Sequence, residues 1–143
     1  MHVAAAITRL EQYQGRITAL IDRTRVALDQ PARDPVALAT LRWEMLRLLR
    51  EYQLFKHGEL FDPLLRAADL GRRGRAASLK ARCIEMAAAV GDHGRRWAEA
   101  GTATAERHAD ETHTLLTRLT QHLLRERLGV TELLSGLQRT RQA

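Results

Sequence analysis

Four stretches of this chain place apolar residues at alternating three- and four-residue steps, and that spacing constrains the fold more than anything else in the sequence. Ile7, Leu10, Gln14, Ile17, Ile21, Thr24 and Leu28 form the first set. Leu38, Leu41, Met45, Leu48, Tyr52, Phe55 and Glu59 form the second, Leu79, Cys83, Met86, Val90, His93 and Trp97 the third, and Thr112, Leu115, Leu119, His122 and Glu126 the fourth. Residues three and four apart lie on one face of an α-helix, so each set is a stripe that must be covered by a neighbour. Only 4% of the residues are aromatic, and Ala, Leu, Arg, Glu and Gln dominate. Those residues lose little freedom in a helix.

Punctuation between the stripes sets the expected boundaries. The first helix should run from about Val3 to Asp29, where "DQPARDP" breaks the pattern with two prolines. Asp34 can cap free N–H groups and Pro35 fits a first helical position, so the second helix starts there. It should end near Phe61, because a residue preceding a proline avoids the helical region. Asp62-Pro63 then opens a short extra turn through "LLRAADL", and "GRRGR" at 71–75 reads as a loop. The third helix is expected over about Ala76 to Ala98, and "EAGTAT" as the next connection. The fourth helix is expected over about Ala105 to Leu128, with Gly129 as its stop. A last short helix in "VTELLSGLQ" and a frayed "RTRQA" would follow. Helices of this length span roughly 33–40 Å at ~1.5 Å per residue. Joined by short connections, they specify an all-α, antiparallel up-down four-helix bundle. One domain is expected over residues 1–143, with its core at about 3–128 and a short C-terminal extension at 129–143.

Charge and cysteine usage bound the function classes. The net charge of +6 comes almost wholly from arginine, since Lys56 and Lys80 are the only lysines. Arg72, Arg73, Arg75, Lys80 and Arg82 cluster, and such a cluster could neutralise phosphates. No aromatic interleaving, zinc spacing or nucleic-acid motif accompanies it, so a solvated basic face is the preferred reading and nucleic-acid binding the lesser one. No apolar run approaches the ~20 residues of a membrane span, and Arg9 and Glu11 come too early for a signal-peptide core. A lone Cys83 excludes an internal disulfide and suits a reducing cytoplasm; nothing near it in sequence marks an activated thiolate. There is no phosphate-cradling Gly-rich loop, no Ser-His-Asp set and no HExxH, so no enzymatic role is expected.

The informative residues are polar ones in apolar registers: Gln14, Tyr52 with Lys56 or Glu59, His93, and His122 with Glu126. Unpaired, each would cost several kcal/mol to bury, so they should meet one another, water or an ion. Helical bundles build metal sites from such inward carboxylates and imidazoles. His57 and Glu59, two apart, point to different faces. His108 and His113, five apart, are expected to be solvated.

The order of helices, "LREYQLFKHGELFDPLL", "EMAAAVGDHGRRW" and "LTQHLLRERLGVTELL" resemble the hemerythrin-like (HHE cation-binding) domain family over roughly residues 5–135. The resemblance implies a four-helix bundle around a non-haem di-iron centre that binds oxygen or nitric oxide, or senses iron or redox state. It also implies ligands that this chain lacks. Gln14 stands where the first helix should carry histidine. With Phe61 matched to the aromatic before the family's proline, Tyr52 and Lys56 occupy the second-helix ligand positions; a one-residue shift puts Gln53 and His57 there. His93 is the sole third-helix histidine, and the His122–Glu126 pair keeps its motif. A di-iron centre takes about five to seven ligands, mostly imidazole and carboxylate, and an ammonium at Lys56 would repel the ions. That charge should instead replace the metal and pair with an acid from a facing helix, Glu126 first and Glu59 second.

The resulting expectation is a non-catalytic, cytoplasmic hemerythrin-like protein, regulatory or sensing through an unidentified protein partner or small ligand, as a monomer or homodimer and without a resident cofactor. The alternative is an iron-binding, oxygen- or redox-responsive protein using His93, His122, Glu126 and His57 or Glu59.

Overall fold

A computed structural model describes residues 2–66, 69–98 and 105–142. The described residues are helical almost throughout and contain no strand: α1 (Val3–Leu28), α2 (Pro35–Phe55), a π turn (Lys56–Phe61), α3 (Asp62–Leu65), α4 (Leu70–Ala98) and α5 (Ala105–Gln142). The "EAGTAT" connection lies outside the described residues, as do Ala67 and Ala68 of "LLRAADL".

Capping chemistry explains the starts. The His2 side chain accepts the Ala5 N–H ahead of α1. Asp34 Oδ1 accepts the Val36 N–H at 3.0 Å ahead of Pro35, as the Asp-Pro pair predicts. At the far end of α1, Arg33 Nε donates to the Leu28 carbonyl at 2.8 Å and satisfies one of the last free acceptors.

Three boundaries depart from the sequence expectation. The second helix does not stop at Phe61. Asp62, just before Pro63, has φ −62° and ψ −43°, within the helical region. In a regular α-helix the Pro63 ring would strike the carbonyl of Glu59. Here the Asp62 N–H instead reaches back five residues to His57 O, and this wider turn carries the proline through. The inserted residue also moves the inward stripe from Glu59, which is exposed, to Leu60, which is fully buried.

"GRRGR" is not a loop. Asp69 Oδ1 accepts the N–H groups of Gly71 (2.8 Å) and Arg72 (3.3 Å), so α4 begins at Leu70 and runs through this segment. The roughly 1 kcal/mol cost of each glycine is met by tertiary contacts: Ala76 is fully buried and Arg72 Nη2 donates to the Gly136 carbonyl at 2.9 Å.

Gly129 does not end the last helix, and the "VTELLSGLQ" segment and most of "RTRQA" belong to the 38-residue α5. A helix-stopping glycine takes positive φ, and no described residue has it. A Cβ at 129 would lie 2.9 Å from Leu79 Cδ2, so this glycine is a notch that admits Leu79 of α4.

Among the long helices, α1 packs on α2 and α5, and α4 packs on α5 and α2. Leu10, Ile17, Leu28, Leu60, Phe61 and Leu134 are among the largest fully buried side chains of the core. Each such burial is worth ~1.5–3 kcal/mol. No described helix is long and apolar enough to cross a membrane.

Candidate functional site

Gln14, Tyr52, Lys56 and His122 gather around Glu126, which α5 buries to 2% exposure. One turn earlier on the same face, His122 places Nε2 at 3.3 Å from Glu126 Oε2. From α2, Tyr52 donates its hydroxyl to Glu126 Oε1 at 2.6 Å. From the first residue of the π turn, Lys56 Nζ donates to Oε2 at 2.8 Å and to Oε1 at 3.0 Å. The π turn allows Phe55 and Lys56, adjacent in sequence, both to be buried. From α1, the Gln14 amide donates to the Tyr52 hydroxyl and to the Leu123 carbonyl, both at 2.9 Å.

Lys56 is 3% exposed, and its ammonium has three donors. Glu126 takes two contacts, Cys83 Sγ on α4 lies at 3.1 Å, and the Tyr52 ring lies 4.0 Å from the nitrogen as a cation–π partner. Burial alone would push the Glu126 carboxyl up, but the His122 hydrogen bond and the Lys56 charge outweigh it and hold the group at about 2. Burial raises the Tyr52 hydroxyl far above its usual range, with the Glu126 charge acting in the same direction. Burial also raises the Cys83 thiol, against the pull of Lys56. The Lys56 amine and the Glu126 carboxylate thus face each other directly, with the Tyr52 hydroxyl, the Cys83 thiol and the His122 ring against them.

This donor set does not fit the metal that the family resemblance implies. The carboxylate lone pairs that would face an ion are taken by an ammonium and a phenol. Gln14 presents an N–H donor to the centre and Lys56 a full positive charge. Among the described residues no group of three or more His, Cys, Asp or Glu is arranged to hold a metal ion.

Of the sequence-derived candidates, the structure gathers Gln14, Tyr52, Lys56, His122 and Glu126 and leaves three elsewhere. Glu59 is turned outward by the π turn and pairs with Arg9. His57 lies beside the Phe61 ring, its Nε2 buried without a partner, and burial lowers its basicity. His93 belongs to a second cluster. Its Nε2 lies 3.0 Å from Thr112 Oγ1, its ring stacks on His108 at 5.7 Å, and His108 in turn meets Trp97 at 4.9 Å. Burial, with the neighbouring His108 and Arg96, lowers His93 to about 4.

His108 is therefore half-buried rather than solvated, and His113 contacts Asp29 at 2.9 Å and Arg25 at 3.1 Å. The five-residue basic cluster is also divided. Lys80 pairs with Asp62 at 3.0 Å and Arg72 is tied to Gly136, while Arg75 and Arg82 are exposed.

Sequence reasoning placed Cys83 in the core but missed it as the third contact of the Lys56 ammonium. Its place on the inward stripe of α4 was the available signal. It also missed a pocket of about 380 Å³ between α2 and α4. Trp43, Arg47 and Arg50 stand at its mouth, and Tyr52, Lys56, Cys83 and His122 form part of its wall. No family model, curated protein or solved structure matches the chain.

Proposed function

We propose that this protein is an antiparallel four-helix bundle of the hemerythrin-like type in which a lysine–carboxylate network takes the place of the metal centre. In this reading it is a non-catalytic regulatory or sensing protein that responds to a small ligand bound between α2 and α4.

The observation that carries the reading is the Lys56 ammonium, 3% exposed and held by both oxygens of Glu126. Its place beside the His122–Glu126 pair supports substitution of a cation by a side chain. The adjoining pocket supports ligand binding: its volume falls within the ~300–1,000 Å³ of small-molecule sites. A molecule seated there touches Tyr52, Lys56 and His122 directly, so occupancy and the network are coupled. Passage of that response to a protein partner is part of the proposal.

Metal analysis of protein purified without chelators provides the test. Iron well below one equivalent per chain is expected, with no oxo-bridge absorption. A pair of irons per chain with those bands would sink the reading.

A further inference from the structure

The pocket between α2 and α4 has two chemically distinct ends. Its inner wall is apolar, built by Met86, Val90, Leu119 and Leu123. Lys56 and Tyr52 on that wall have no free donor for an incoming charge. The ammonium of Lys56 is directed to Glu126 and Cys83, and the Tyr52 hydroxyl donates to Glu126. A carboxylate driven inward would lose its hydration with neither of these donors to replace it.

The mouth is the opposite. Arg47 and Arg50 are exposed on α2 and line the pocket, and neither makes a hydrogen bond or ion pair among the described residues. Glu44, the acid nearest to Arg47 in sequence on the N-terminal side, is engaged by Arg23. Trp43, 66% exposed, provides a flat apolar surface beside the two guanidinium groups.

From this polarity we infer that the ligand is an amphiphilic carboxylate. Its apolar body enters between α2 and α4, and its head stays at the mouth, bound by Arg47 and Arg50. The inference rests on the ligand-binding reading above and adds to it the class and orientation of the ligand. Guanidinium groups suit it because they offer paired N–H donors that match a carboxylate's two oxygens.

The test is calorimetric titration of the full-length protein with decanoate and with decanol, which share a tail and differ in the head. Decanoate should bind saturably and about tenfold more tightly, the sum of two partly solvated ion contacts. The Arg47→Ala/Arg50→Ala double variant should bring decanoate to the decanol affinity and leave decanol unchanged. Ala87→Trp, at an exposed position lining the pocket, should block both. In a Trp97→Phe background the remaining Trp43 should report decanoate binding by fluorescence.

Equal affinity for the two probes would overturn the inference while leaving a ligand pocket. So would decanoate binding that survives the double variant. Saturable binding of neither would remove the inference and the ligand-binding part of the proposed function, and would leave the metal-replacement part to the iron analysis.

Discussion

Around Glu126 and around His93, inward stripes of the same helices carry polar groups into the interior, and the two clusters are satisfied in opposite ways. Near Glu126 the groups are charged, and each charge is closed by the other: Lys56 and Glu126 lie 2.8 Å apart with Tyr52 and Cys83 against them. Near His93 they are imidazoles kept neutral by burial, stacked on each other and in tilted contact with Trp97. Burial opposes ionisation in both places; a charge in contact outweighs it at Glu126, and none does so at His93. A polar residue in an apolar register thus fixes only that a partner is required, and the facing helix decides whether that partner is a charge.

The largest expected effect comes from breaking the charged cluster on one side. Glu126→Ala leaves the Lys56 ammonium buried and uncompensated and should cost ~3–5 kcal/mol in urea unfolding. The joint change Lys56→Met with Glu126→Leu should remain within ~2 kcal/mol of the parent, because both desolvation costs vanish with the attraction. A single-variant loss below ~1 kcal/mol would show that the pair is not closed as described.

Acid should separate the clusters in two windows. Glu126 titrates at about 2 when folded against 4.5 when free, so the unfolded chain takes its proton first. Stability present above pH 4.5 is then lost as pH falls toward 2, by on the order of 3 kcal/mol. His93 titrates at about 4 when folded against 6.5 when free. Again the unfolded chain is protonated first, so stability falls between pH 6.5 and 4. His93→Phe should make the upper window shallower and leave the lower one in place; a change confined to the lower window would reverse the assignment.

Tyr52→Phe removes the hydroxyl donor to a charged oxygen and should cost about 1.5–3 kcal/mol, read as a lower denaturation midpoint. Gln14 would keep its bond to the Leu123 carbonyl. The smallest effect is expected at Thr112→Val. Thr112 Oγ1 donates to the His108 carbonyl at 2.7 Å, so it accepts from His93 Nε2–H. Loss of that acceptor should cost about 1 kcal/mol. An NMR titration should show the His93 ring still neutral at pH 7, since burial and not this bond keeps it so.

Much of the fold was legible because helix periodicity is local. The stripes through Leu10, Ile17 and Leu28, and through Cys83, Met86 and Val90, depend only on 3.6-residue spacing, and all six residues are buried. Asp34-Pro35 is equally local, since the cap and the proline act within one turn. The site was legible in part. Gln14, Tyr52, Lys56, His122 and Glu126 stood out as polar groups in apolar positions. The pocket did not, because it arises where α2 and α4 stand apart and no spacing within either helix encodes that gap.

The sequence by itself determined four amphipathic helices and the requirement that an inward ammonium meet an acid, because both follow from residue spacing and the cost of burying charge. Only the tertiary structure decided where the stripes continue past their apparent stops. The Asp62 N–H reaches back to His57, Asp69 caps α4 ahead of two glycines, and Leu79 fills the notch at Gly129. Each glycine signal there is worth about 1 kcal/mol and the proline about 3; the π turn and the Asp69 cap answer them locally, and Leu79 at Gly129 and Arg72 on Gly136 do so from a distant part of the chain. The π turn faced Glu59 outward to Arg9, and the packing of α5 left Glu126 as the acid that Lys56 meets.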